Sequence, residues 1–174
     1  WPEFIDVQEA MLDALADRDP LFRRSDLWRR FNVGHFFTAD ILDYLKTILA
    51  KKNALQALVL ELLTGTDAAA TLAPELSALV TNAGVDVNTR RLASEALLRV
   101  ATYNPTTDIA ALLAERSTAS LGVAARTVTS HGVLSVGATV VSSLLEKLSA
   151  LYSQSNKRDR DGMSLYFIDL LIRS

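Results

Sequence analysis

The sequence predicts an all-α protein. Three observations carry that expectation: apolar residues recur at helical spacing nearly throughout, no stretch alternates convincingly with period two, and leucine and alanine dominate while glycine and proline are sparse. At 174 residues with 49% hydrophobic content, the chain is long enough to bury a sizeable core as one unit, so a single α-helical domain over residues 1–174 is expected.

The elements follow in order. Phe4, Val7, Met11, Leu12 and Leu15 form one stripe opposite Asp6, Glu9, Asp13 and Asp17. Asp19 and Pro20 then suit the N-cap and first turn of a second helix that ends near "NVG". Thr38 can cap a third, with Ile41, Leu42, Leu45, Ile48 and Leu49 as its stripe and Lys51 and Lys52 at its cation-favouring end. "ALQALVLELL" is apolar on most sides and should lie centrally. After the loop "TGTDAAATLA", Pro74 opens "PELSALVTNAG", and a longer helix is expected from about Asn88 to Tyr103. "NPTT" breaks the chain, Asp108 to about Arg116 forms a short helix, and Ala119 to Ser130 forms the next, closed by "SHG". Val140, Val141, Leu144, Leu145, Leu148, Leu151 and Tyr152 stripe a long helix, with Glu146 and Lys147 facing away. The polar loop "SQSNKRDRDG" leads to a last helix, "MSLYFIDLLIRS".

These helices fall into about five successive pairs. "LSALV" at Leu76–Val80 is similar to "IAALL" at Ile109–Leu113, and the helices that follow share Leu92/Ala96 and Leu121/Ala125. In "NTRRLASEALLRVATYN", Ala93, Ala96, Leu97, Val100 and Ala101 spell A-x-x-A-L-x-x-V-A. Small alanines in that pattern let neighbouring helix pairs approach closely while larger residues fill the seam. The stretch resembles the last helix of an armadillo or HEAT repeat. The resemblance implies a right-handed α-α superhelix of about five antiparallel helix pairs that holds protein partners on its curved surface. Where armadillo repeats often place a ligand-binding asparagine, this helix carries Arg99. Arg91, Glu95 and Arg99 fall opposite the small-residue side at successive four-residue steps and are the candidate partner-binding residues there.

Residues 22–31, "FRRSDLWRRF", set a second candidate beside a plainer reading. With Ser25 as a cap, Leu27, Trp28 and Phe31 share one side as core, while Arg29 and Arg30 sit near a helix C-terminus, where cations are favoured without any ligand. The functional alternative is that Arg23, Arg24, Arg29 and Arg30 converge on a phosphate or an acidic peptide, with Asp17, Asp19 and Asp26 nearby as internal partners. "NKRDRD" at Asn156–Asp161 reads as a solvated loop before a basic contact. The last helix has apolar residues over most of its circumference. Its cover is the domain core with a following repeat, or a dimer or partner interface through residues 163–172.

Motifs of catalysis are absent. The two histidines, His35 and His131, have no metal-ligand spacing and read as structural; Ser130 and His131 are adjacent and point apart; no nucleophile elbow, P-loop or dinucleotide fingerprint occurs. The expectation is therefore no enzyme, no cofactor and no metal. With no cysteine there are no disulfides or cysteine zinc sites, and no N-glycosylation sequon occurs, which points to an intracellular protein, cytoplasmic or nuclear. A net charge of -2 supplies no global attraction to nucleic acid or anionic membrane, and no stretch reads as a spanning helix. The opening Trp1 and the apolar end read as those of a segment of a larger protein. The functional expectation is a protein-protein interaction scaffold for a partner peptide or domain. Nucleic-acid binding through the arginine cluster, or self-association through the last helix, are the alternatives.

Overall fold

The structure is a computed structural model that describes residues 37–51, 54–154 and 162–173. Every regular element among these residues is a helix: α1 (Ala39–Leu49), α2 (Ala54–Leu63), α3 (Ala68–Thr71), α4 (Ala73–Thr81), α5 (Val87–Leu97), α6 (Thr106–Glu115), α7 (Thr118–His131), α8 (Val133–Val136), α9 (Ala138–Gln154) and α10 (Gly162–Arg173). The two helices expected before Thr38 and the "NKRDRD" loop lie outside the described residues.

The stripes read from the sequence are the buried faces. Ile41, Leu45, Ile48 and Leu49 of α1 are buried, as are Leu58, Val59, Leu60 and Leu63 of α2 and Val141, Leu144 and Leu148 of α9. In α2, Gln56 is also buried, and its amide donates to the Leu49 carbonyl at 2.6 Å, which satisfies the polar group that the central position would otherwise strand. Helices pack in a regular order. α1 pairs with α2, α4 with α5, α6 with α7 and α9 with α10. Across these pairs α1, α4, α6 and α9 each touch the next, and so do α2, α5, α7 and α10. The first helices of the pairs begin at residues 39, 73, 106 and 138.

Three details differ from the sequence expectation. The helix expected to reach Tyr103 stops at Leu97, and residues 98–102 turn. Val100 is still buried at 7% exposure, so its apolar character serves the core from a turn rather than from a helix, while Ala101 is exposed. The loop "TGTDAAATLA" contains the single turn α3, whose Ala68 and Ala69 are buried. Thr38 occupies the N-cap of α1 with extended backbone, but its hydroxyl makes no capping bond.

Caps and buried polar pairs fix how the pairs join. Asp86 caps α5, accepting from the Thr89 amide at 3.0 Å and the Thr89 hydroxyl at 2.6 Å, and that hydroxyl holds the Asp86 carboxyl below its usual range. Ser117 and Ser120 form a reciprocal capping box on α7. Asp108, buried in the first turn of α6, accepts from Ser77 of α4 at 2.7 Å and from the Tyr103 phenol at 2.5 Å. Burial first, and this bond second, push the Tyr103 phenol far above its usual range.

Arg90 is the largest buried polar side chain among the described residues. Only 2% exposed, it donates from Nε to the Val80 carbonyl at 2.8 Å and forks onto both Glu115 oxygens at 3.2 and 2.7 Å. The fork, aided by the Ser117 hydroxyl and opposed by burial, holds Glu115 below the usual carboxylate range. One guanidinium thus ties the end of α4, the first turns of α5 and the junction between α6 and α7. Arg116, the one non-glycine residue with positive φ among those described (φ 57°), turns the chain between Glu115 and Ser117, whose hydroxyl donates back to the Glu115 carboxylate at 2.9 Å.

His131 ends α7, and Gly132 (φ 88°) supplies the left-handed turn that follows it. The imidazole lies 5.7 Å from the Tyr103 ring, and its Nε2 is buried without a hydrogen-bond partner among the described residues. Burial lowers its pKa below 6.5, so the unfolded chain takes up the proton first. Stability from this site should be complete above about pH 6.5 and decline as pH falls through the folded-state value. Urea midpoints measured across pH 5–7 should show that decline, and His131→Phe should flatten it.

Candidate functional site

The second helices of three successive pairs border a shallow groove of about 160 Å³. It is lined by Arg91, Ser94 and Glu95 of α5, by Val123, Arg126, Thr129 and Ser130 of α7, and by Tyr166 and Leu170 of α10. Helical spacing explains the lining: Arg91 and Glu95 stand one turn apart on α5, Arg126 and Ser130 on α7, and Tyr166 and Leu170 on α10.

The helices beneath the groove are tightly joined. Ser94 and Thr127 share a buried hydroxyl–hydroxyl bond of 2.7 Å between α5 and α7, and Thr127 also donates to the Val123 carbonyl at 2.9 Å. The hydroxyls satisfy one another, so the helices meet closely without an unpaired polar group. Gly122 does the same between α7 and α10: a Cβ there would stand 2.7 and 2.8 Å from two carbons of the Phe167 ring. Phe167 is therefore seated directly on the α7 backbone and is 4% exposed.

The rim carries the charge. Arg91 is paired with Glu95 one turn on and donates to Asn88 at 2.9 Å, so one fork is largely neutralised. Arg126 is exposed, its guanidinium carbon 5.8 Å from the centre of the Phe167 ring, within reach of a cation–π attraction. No carboxylate pairs with Arg126 among the described residues. Tyr166, 47% exposed, stands edge-on to Phe167 with ring centres 5.4 Å apart.

Of the residues singled out from sequence, Arg91 and Glu95 line this groove. Arg99 does not: it is exposed in the turn after α5, with its guanidinium against Gly65. Of the two expected four-residue steps, Arg91–Glu95 is formed and Glu95–Arg99 is not, because the helix ends before Arg99. Arg23, Arg24, Arg29 and Arg30 lie outside the described residues. In the last helix, Phe167 and Leu171 are covered by the chain's own core, whereas Tyr166 and Ile172 (72% exposed) are not.

Arg126 and Tyr166 are the groove residues that sequence reasoning missed. Gly122 was a usable signal, since a glycine in mid-helix marks a close approach and so places the neighbouring Arg126 beside another element. No group of three or more metal-ligating side chains occurs among the described residues, and none of their helices is long and apolar enough to cross a membrane.

Fold and groove define an all-helical protein whose successive helix pairs share a polar, arginine-bearing depression. Comparison with protein-family models, with curated proteins and with solved structures returns no match.

Proposed function

We propose that this chain is a non-catalytic protein-interaction scaffold, an armadillo/HEAT-like right-handed superhelix that binds a peptide or domain along its second helices. The groove across α5, α7 and α10 carries this reading. Its volume of about 160 Å³ lies below the ~300–1,000 Å³ of ordinary small-molecule pockets and suits a side chain of an extended partner. Two further observations support it. The first helices recur at a step of about 33 residues, a period common among helical repeats. Neighbour-to-neighbour packing of pairs is also how such repeats build long surfaces.

Partner binding should be lost by charge reversal in the groove without loss of the fold. Arg91→Glu removes one i,i+4 pair worth roughly 0.3–0.5 kcal/mol and sets two carboxylates at the same spacing at a similar cost, so the melting temperature should fall by no more than about 4 °C. Affinity purification with wild type and Arg91→Glu as paired baits tests the proposal. Partners that are captured by the wild type and lost from the variant support it; an identical set on both baits counts against the groove.

A further inference from the structure

The groove's two arginines differ in a way that indicates what occupies it. Arg91 spends its charge on Glu95 and donates to Asn88. Glu95 is thereby neutralised and does not repel an incoming anion. Arg126 lies across the groove on α7 with the Phe167 ring beside it. An aromatic face attracts the cation but accepts none of its five N–H donors as a carboxylate would, so the in-plane fork remains open. Phe167 is itself fixed, being buried against Gly122, so the cation rests on a rigid support rather than on a flexible stem in water. Beside it, Tyr166, Leu170 and Val123 provide apolar surface within the same depression.

We infer that the groove binds an acidic peptide segment, whose carboxylate forks onto Arg126 while a neighbouring large apolar side chain lies against Tyr166 and Leu170. The inference rests on the scaffold reading and adds the chemistry of the partner. Charge selects it: the described lining holds Arg91, Glu95 and Arg126, leaving one unmatched positive charge. A bidentate arginine–carboxylate pair satisfies that charge with two parallel bonds. A basic segment would meet repulsion at Arg126, and an uncharged one would offer it no carboxylate for a bidentate, charge-assisted pair.

The test is selection from a library of random decapeptides displayed against the full chain, followed by titration of the best synthetic peptide. The enriched peptides should carry Asp or Glu beside a large aliphatic or aromatic residue. Affinity should fall at least about tenfold for Arg126→Glu and for the peptide with that acidic residue changed to its amide, one lost charge-assisted pair being worth about 1.5–3 kcal/mol. A lysine in place of the acidic residue should recover binding to Arg126→Glu. Because Arg126 is exposed and what it loses is a cation–π contact with the Phe167 ring, the variant should melt within about 4 °C of the wild type. Enrichment of basic or neutral peptides, or acidic peptides that bind Arg126→Glu equally well, overturns the inference and leaves the scaffold reading standing. Failure of any peptide to enrich on the wild type removes the peptide-binding reading itself.

Discussion

Arg90→Ala should be among the most damaging single substitutions in this chain, costing about 3–5 kcal/mol of stability. The guanidinium is 2% exposed and serves three groups at once: the Val80 carbonyl and both oxygens of Glu115, whose side chain is only 23% exposed. Removing it leaves the buried Val80 carbonyl without this donor and a half-buried carboxylate with only the Ser117 hydroxyl for company, and these stranded groups dominate the loss. For a domain of this size the melting temperature should drop by roughly 6–20 °C. The pair itself need not be a net stabiliser, because taking both ions out of water is expensive. Arg90→Met combined with Glu115→Gln should therefore recover much of the stability. Urea unfolding of the single and double variants checks both statements, and a double variant as unstable as Arg90→Ala would refute the stranded-charge account.

Gly122→Ala should show the second large effect, with a sign opposite to that expected of an isolated helix. Glycine within a helix is normally worse than alanine by up to about 1 kcal/mol. Here the added methyl would sit 2.7 Å from a carbon of a buried ring, and overpacking of this kind costs about 1–3 kcal/mol. The ring cannot simply swing aside, because it is buried between α7 and α10. The clash should win, and Gly122→Val should be worse still. Phe167→Leu in the Gly122→Ala background should relieve the contact, so the double variant should be less destabilised than the sum of the singles by about 0.5–3 kcal/mol. Strict additivity in thermal melts would place the strain elsewhere.

How much was legible in the sequence follows from the range of the interactions involved. Ile41, Leu45, Ile48 and Leu49 announce α1 because a helix with one wet side must repeat its apolar residues every three or four positions. That signal is local, and it held for nearly every helix among the described residues. It misled at Val100, where the same spacing is kept by a residue buried from a turn. The Arg90 fork was hidden for a different reason: Glu115 lies 25 positions away, and no short-range pattern joins the two residues. A hint existed, since Arg90 shares its helical side with the buried Ala93 and Leu97. The candidate site was half legible. Arg91 and Glu95 belong to one helix and could be found from its polar side, but Arg126 and Tyr166 become neighbours of that pair only when α7 and α10 pack, and packing is a tertiary event.

The ordered packing of the pairs has a dynamic consequence. Among the described residues each helix rests chiefly on its hairpin partner and on the adjoining pairs, so most of their native contacts are short in sequence. Opening of the described pairs can then proceed one hairpin at a time. Amide hydrogens of α5 and α7, packed against neighbouring pairs on both sides, should be the last among the described helices to trade with deuterated water, and those of α10 should trade earlier.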